Sequence, residues 1–231
     1  RQELWKDFSK PNAVSIEKVQ ENPEYLWNVI EKLYKEPRKK GLPHPNPNDA
    51  HLGIAKLIKY FDISPIDQAI ITQNVDNLHQ YAAQIIGHTY NPIELHGSLE
   101  QLFCPCCGSR DIVIQTTNNN TISIQNSFHV HSLGNLKRPV PFCYNCKETA
   151  LPDVVLFGES VKSDRLEKAK ESLNNASLII SSGTAFDVAP ASTMLMSIEN
   201  HIPIIDINPA KPPINQIDYW IEGNAEAVFR E

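Results

Sequence analysis

The chain has 231 residues, 41% of them apolar, enough for one domain of ordinary size plus a smaller module. A net charge of −6 gives no general basic footprint, so nucleic acid is not implied as a direct ligand and a basic peptide suits the balance better. No apolar run approaches the ~20 residues of a bilayer span and no signal-peptide pattern opens the sequence, while four of the five cysteines sit at couplet spacing, which points away from disulfides and toward a reducing compartment, cytosol or nucleus.

In chain order, Asn22-Pro23-Glu24 opens a predicted helix with Leu26, Trp27, Ile30, Leu33 and Tyr34 on one face. Residues 36–48, rich in Pro and Lys, read as loop. Asp49 is the expected cap of a second helix carrying Leu52, Ile54, Ala55, Leu57 and Ile58. Short apolar runs at 69–72, 178–182 and 202–208 read as strands buried on both faces, with helical stretches at 163–173 and 190–200 between them. That alternation predicts an α/β fold with a parallel sheet wrapped on both sides.

Two couplets interrupt the pattern, Cys104-Pro105-Cys106-Cys107 and Cys143-Tyr144-Asn145-Cys146. Each C-x-x-C turn aims two sulfurs at one point, and two such turns make a closed four-thiolate site suited to structural zinc. The spacing selects Cys104, Cys107, Cys143 and Cys146 and leaves Cys106 spare. A thioredoxin-like redox pair is the rival reading, disfavoured because neither couplet sits in a strand–helix frame. The polar run 116–121 reads as an exposed loop of this module, and His129 and His131 are assigned to loop because four thiolates already complete the site.

Chemistry in α/β sheets gathers where strands end. Ile180 leads into Ser181-Ser182-Gly183-Thr184, where Gly183 admits a phosphate close to backbone and Thr184 offers a hydroxyl; Ile205 leads into Asp206-Ile207-Asn208, where Asn208 can meet a ribose. Ile71 leads into Thr72-Gln73-Asn74-Val75-Asp76. His96 follows a predicted strand over 92–95, and His79 reads as a packing or capping residue. Neither G-x-G-x-x-G nor G-x-S-x-G occurs, which disfavours a dehydrogenase of the usual fingerprint and a serine hydrolase.

Gln73-Asn74-Val75-Asp76 with Leu78-His79, then His96-Gly97-Ser98, the couplets, residues 154–159, Gly183-Thr184 with Val188 and Pro190-Ala191, Ile207-Asn208 and Gly223-Asn224-Ala225 fall in the order seen in sirtuins, the NAD-dependent protein lysine deacylases, and from about residue 48 onward the chain resembles that family. Leu4-Trp5 and the helix with Trp27 look like further parts of it. The resemblance implies a Rossmann-like NAD-binding domain formed by 1–20, 49–100 and 153–231, a helical module at 21–48 and a zinc-binding module at 101–152. It implies NAD and Zn2+ as cofactors and an acyl-lysine protein or peptide as substrate. Gln73, Asn74, Asp76, Gly183, Thr184, Asn208, Asn224 and Ala225 would bind the cofactor. Val155, Leu156, Phe157 and Gly158 would pair with the peptide as an added strand.

The resemblance also implies a mechanism: the acyl oxygen attacks the ribose carbon as nicotinamide leaves, and His96 serves as general base on a ribose hydroxyl, with Asn74 and Asp76 beside it. The products are free lysine, nicotinamide and O-acyl-ADP-ribose. ADP-ribosyl transfer and a non-catalytic NAD or acyl-lysine reader are the alternatives. The family's glycine-rich phosphate loop and first strand are expected to lie outside this sequence, with Arg1 alone at their end; Ala185 and Leu151 replace a usual Ser and Arg. Measured from Trp27, the positions that would hold a Tyr–Arg pair for acidic acyl groups carry Ile30 and Leu33, so neutral acyl groups are expected.

Overall fold

The structure is a computed structural model that describes residues 14–34, 46–61, 70–115, 121–124, 141–184, 186, 190–198 and 200–230. Its helices are α1 Ile16–Glu21, α2 Pro23–Tyr34, α3 Asp49–Tyr60, α4 Leu78–Ile85, α5 Ser163–Asn174, α6 Ala191–Met196 and α7 Ala225–Val228. Its strands are β1 Ile71–Thr72, β2 Ile93–Glu94, β3 Gly97–Phe103, β4 Ile112–Gln115, β5 Thr121–Ile124, β6 Phe142–Cys143, β7 Leu151–Val154, β8 Ile179–Ser182, β9 Ile204–Asn208 and β10 Tyr219–Glu222. Two compact units emerge: Arg1–Pro45, Gln73–Asn77 and His96–Ser160 form one, and Asn46–Thr72, Leu78–Leu95 and Val161–Glu231 form the other.

In the first unit α2 starts at Pro23, whose missing N–H costs nothing at a first helical position. The helix buries Leu26, Trp27 and Ile30 with Val19 of α1 against Leu99 and Leu102 of β3, Ile112 and Ile114 of β4, and Leu151 of β7. Trp27 is too large to bury without a partner for its indole N–H, and Nε1 donates to the Ala150 carbonyl at 2.8 Å. β3 and β7 pair antiparallel, with Gly97 opposite Val154 and Ser98 opposite Asp153, then an irregularity before Leu102 meets Pro152. β4 lies between β5 and β6, both antiparallel to it.

This grouping differs from the division drawn from sequence. The end of 1–20, and both 96–100 and 153–160, were expected with the nucleotide-binding domain. Instead Val19, Leu99 and their neighbours share one apolar core with Trp27 and the metal module.

Among the described residues of the second unit the pairings are parallel: β1 with β2, and the order β10-β9-β8. Ile179 and Ile204 face Leu95, Ala169 and Leu173, Met194 and Leu195 in one core. β8 was expected to be buried on both faces, yet Leu178 is 49% and Ile180 41% exposed while Ile179 and Ser181 are buried. Burial there alternates with the pleat because the described helices cover one face of the strand.

α3 and α4 pack through Ala55, Ile58, Ala82 and Ala83. The cap of α3 is Asn48 rather than Asp49: Asn48 Oδ1 accepts the His51 N–H and His51 Nδ1 accepts the Asn48 N–H. Asp49 instead binds Arg230 Nε at 2.7 Å. Gly53 lets the chain past Phe229, since a Cβ there would lie 2.5 Å from the Phe229 Cβ. α6 ends at Met196, short of the expected 200, where the Ser197 hydroxyl turns back to the Met194 carbonyl.

Thr121, placed by sequence in an exposed loop, instead opens β5. Leu4, Trp5, residues 116–120, His129, His131, Ala185 and Val188 lie outside the described residues. Among the described residues no helix is long and apolar enough to cross a membrane.

Candidate functional site

The loop Gln73–Asn77 and the residues from His96 onward belong to the first unit, and three hydrogen bonds pin one to the other. His96 Nδ1 lies 3.1 Å from the Gln73 carbonyl oxygen. The Leu99 N–H donates to the Val75 carbonyl at 2.9 Å. The Ser98 hydroxyl donates to Asn77 Oδ1 at 2.6 Å. The anchored positions 73, 75 and 77 alternate with Asn74 and Asp76, the two residues singled out for chemistry, and Asn74 is exposed. Gly97 makes the arrangement possible: with φ at +80°, it turns the chain from His96 into β3 where a side chain would be strained.

A carbonyl can only accept, so the bond to Gln73 requires the proton on Nδ1 when the ring is neutral. Nε2 then carries the lone pair. A neutral imidazole in a fixed tautomer with Nε2 as its acceptor is the form a general base needs.

Residues expected to meet a peptide follow β7. The Val155 N–H donates to the His96 carbonyl at 2.8 Å, so this segment and the histidine share one backbone connection. Phe157 is bridged to Ser15: its carbonyl accepts from the Ile16 N–H at 3.0 Å. Leu156 faces the other way. Its N–H donates to Glu159 Oε2 at 2.8 Å, and its carbonyl accepts the Glu159 N–H at 3.0 Å.

The four predicted metal ligands converge. The sulfurs of Cys104, Cys107, Cys143 and Cys146 all lie within 4.8 Å of one another, with separations of 3.4 Å for Cys104–Cys146, 3.6 Å for Cys107–Cys143 and 3.7 Å for Cys107–Cys146. Tetrahedral zinc with 2.3 Å Zn–S bonds needs sulfurs about 3.8 Å apart, so the donor set fits the ion. Burial works to raise the Cys143 thiol, but N–H donors of Cys146 and Asn145 outweigh it and bring it down to about 7. Burial pushes Cys104 up to about 12, and a bound cation would reverse that by favouring the thiolate. Cys106 is exposed and outside the set.

In the second unit, β8 ends in two buried hydroxyls with no partner among the described residues, Ser181 Oγ and Ser182 Oγ. Buried polar atoms left unpaired are uncommon, and two beside Gly183 and Thr184 fit a polar ligand such as a dinucleotide. Gly183 sits at φ +67° with open space around it. Asn208 Nδ2 is held inside the unit by the Asp206 carboxylate at 2.9 Å and the Thr184 carbonyl at 3.1 Å. Asn224 spends its side chain capping α7, accepting the Glu226 N–H at 2.9 Å, and Ala225 is the first residue of that helix. His79 packs, as expected: it is buried on α4 with its ring centroid 4.8 Å from that of His51.

Three polar residues of the first unit escaped the sequence reading as site components. Ser98 and Asn77 form the pin described above. Asp153, 2% exposed and opposite Ser98, pairs with Arg110 at 3.1 Å. Asn77 carried a usable signal, since an Asn just ahead of a helix tolerates the left-handed backbone it adopts here, φ +58°.

A histidine set against a pinned Asn/Asp loop, four converged thiols, and a parallel sheet with unpaired hydroxyls at a strand's carboxyl end suit an enzyme that uses a nucleotide and carries a structural metal. A model of the Sir2 family matches residues 1–190, and the chain belongs to that family. It is 31% identical to "NAD-dependent protein deacylase 1" of Archaeoglobus fulgidus, over 99% of this chain and 81% of the relative. It is 33% identical to "NAD-dependent protein deacetylase" of Saccharolobus solfataricus, over 97% and 79%. Among solved structures it resembles a Sir2 homologue–NAD complex, with TM-score 0.67 at 28% identity over 94% of this chain and 73% of that one. It also resembles a Sir2 bound to acetylated peptide, with TM-score 0.67 at 25% identity over 94% and 79%.

Proposed function

We propose that this chain catalyses NAD-dependent removal of acyl groups, acetyl foremost, from protein lysines, giving free lysine, nicotinamide and O-acyl-ADP-ribose. The observation that carries the reading is the bond from His96 Nδ1 to the Gln73 carbonyl, which sets Nε2 as a base on the segment adjoining Asn74 and Asp76.

Bound NAD supplies an electrophilic ribose carbon with nicotinamide as its leaving group. The chain's own residues do the rest. Asn74 offers an amide and Asp76 a carboxylate to the nicotinamide ribose from the alternate side of the pinned loop. The Gln73 backbone is committed to His96. His96 Nε2 takes a proton from a ribose hydroxyl, and the Gln73 carbonyl steadies the positive charge that develops on the ring. Ser181, Ser182, Gly183 and Thr184 would line the phosphate end, where the two unpaired hydroxyls have donors to give. Asn208, whose Nδ2 is engaged, has Oδ1 to present to a ribose hydroxyl. Asn224 and Ala225 would contribute backbone at the adenosine end. The parallel sheet of the second unit would be the dinucleotide-binding part and 101–152 the metal module.

A zinc held by Cys104, Cys107, Cys143 and Cys146 would have no open position and so would take no part in the reaction. It would tie the turn after β3 to β6.

An acyl-lysine peptide would enter as an added strand along 155–158. Phe157 already pairs with the Ser15 segment, so the edge that can open is that of Leu156, where Glu159 occupies both backbone groups and would give way. Because that recognition is by backbone, it selects little peptide sequence. Ile30 is 2% exposed within the apolar core and brings no cation to meet an acidic acyl group, which supports a preference for neutral acyl chains.

The test is His96→Ala in the full-length protein. Turnover of an acetyl-lysine peptide falls by roughly 10² to 10⁴ while NAD still binds. Near-normal turnover removes His96 from the role.

A further inference from the structure

We infer that Ser98 and Asn77 are positioning residues for the reaction: their side-chain bond holds the Gln73–Asn77 loop in register with His96, and catalysis depends on it. The inference rests on the function proposed above.

Ser98 is fully buried, 0% exposed, and its hydroxyl both donates and accepts. It donates to Asn77 Oδ1 at 2.6 Å and accepts the Glu100 N–H at 3.1 Å. Asn77 Oδ1 can only accept, so the hydroxyl proton points toward Asn77. Asn77 sits where the loop ends and α4 begins, in a left-handed conformation that its partner helps to hold. The bond therefore fixes the far end of a five-residue loop whose near end is fixed by His96 itself.

A buried hydroxyl aimed at a side chain 21 residues away is more than core filling, because alanine would fill nearly the same volume. The same face of β3 and β7 carries a second buried polar residue. Asp153 stands opposite Ser98 and pairs with Arg110, three positions past Cys107. The pin thus sits on a strand pair that Arg110 ties to the metal module, which gives the loop a rigid base.

If the loop drifted by an ångström, Asn74, Asp76 and the carbonyl that sets the histidine tautomer would move together. Turnover would suffer more than NAD affinity, because alignment of reacting groups is the more sensitive quantity.

The test uses the full-length protein. Ser98→Ala and Asn77→Gly each lower kcat by roughly 10-fold, the loss expected for one buried hydrogen bond in a positioning role, with KM for NAD little changed. Glycine accepts the left-handed backbone and removes the acceptor, while adding a backbone freedom that Ser98→Ala does not share. The double variant is no worse than either single one, and Asn77→Asp, which keeps an acceptor, restores turnover. Should Ser98→Ala fail to fold, the half-buried Asn77→Gly carries the test alone.

A second readout needs no activity: the Leu99 amide, bonded to the Val75 carbonyl, exchanges faster with solvent in both single variants. Losses that multiply in the double variant, unchanged kcat in Asn77→Gly, or unaltered Leu99 exchange overturn the inference. A wild-type protein without NAD-dependent deacylation overturns the proposed function instead, and the exchange result still stands or falls separately.

Discussion

The His51–His79 pair makes the helical layer of the second unit sensitive to acid. Both rings are buried between α3 and α4, and burial lowers each pKa from 6.5 to about 4, with His51 adding repulsion at His79. His79 Nδ1 has no hydrogen-bond partner among the described residues, so a proton added there would be buried without an acceptor. The charged residues of α3 are Asp49, bound to Arg230, Lys56, and Lys59, bound to the Ile86 carbonyl. Tyr90, whose hydroxyl donates to the His79 carbonyl, is itself pushed up to about 12 by burial and stays neutral.

A group whose folded pKa is depressed contributes its stability above the unfolded value and loses it as pH falls through the folded one. The window here runs from about 6.5 down to 4. At pH 5 one such ring has lost about 2 kcal/mol, and the pair about 4 kcal/mol. Amide exchange across α3 and α4, measured at pH 7, 6 and 5 after correction for the intrinsic rate, should report that loss. His79→Leu should remove roughly half of the pH dependence, and the double variant His51→Gln, His79→Leu nearly all of it. Wild-type protection that is flat from pH 7 to 5, or a double variant as acid-sensitive as wild type, would refute the reasoning.

Metal analysis should find close to one zinc per chain, and Cys143→Ser should lower it and destabilise the first unit, whereas Cys106→Ser should leave zinc content unchanged. Full zinc retention in a Cys104/Cys107 double variant would rule the site out. Gly53→Ala drives a methyl into the Cβ and carbonyl of Phe229 and should cost about 1–3 kcal/mol by urea denaturation, whereas an unchanged midpoint would contradict the close approach. Kinetics on acetyl-, myristoyl- and succinyl-lysine peptides should place succinyl last; a succinyl rate above both others would contradict the apolar reading of the α2 face.

Legibility followed sequence distance. The metal site could be read because each couplet is local and only the meeting of two couplets is tertiary. The strand ends at Thr72, Ser182 and Asn208 were visible as apolar runs breaking into polar residues. His96-Gly97 stood out as a histidine ahead of a glycine that turns the chain. What stayed hidden was long-range. Ser98 to Asn77 spans 21 positions and Arg110 to Asp153 spans 43, and both depend on the β3–β7 register, whose irregularity after Ser98 erases the alternation a strand normally shows. Sequence order places 96–100 and 153–160 with the nucleotide-binding part, while Leu99 and Val154 pack in the apolar core that holds Trp27. Expecting Asp49 as cap was a one-residue error, decided by the reciprocal bonds that only Asn48 and His51 can make.

The most direct test of the account is a product balance on the full-length protein with NAD and an acetyl-lysine peptide. The account predicts nicotinamide, deacetylated peptide and O-acetyl-ADP-ribose in equal amounts, none formed without NAD, and all three lost together in His96→Ala. Free acetate in place of O-acetyl-ADP-ribose, or ADP-ribose label carried onto protein with the peptide still acetylated, would contradict it.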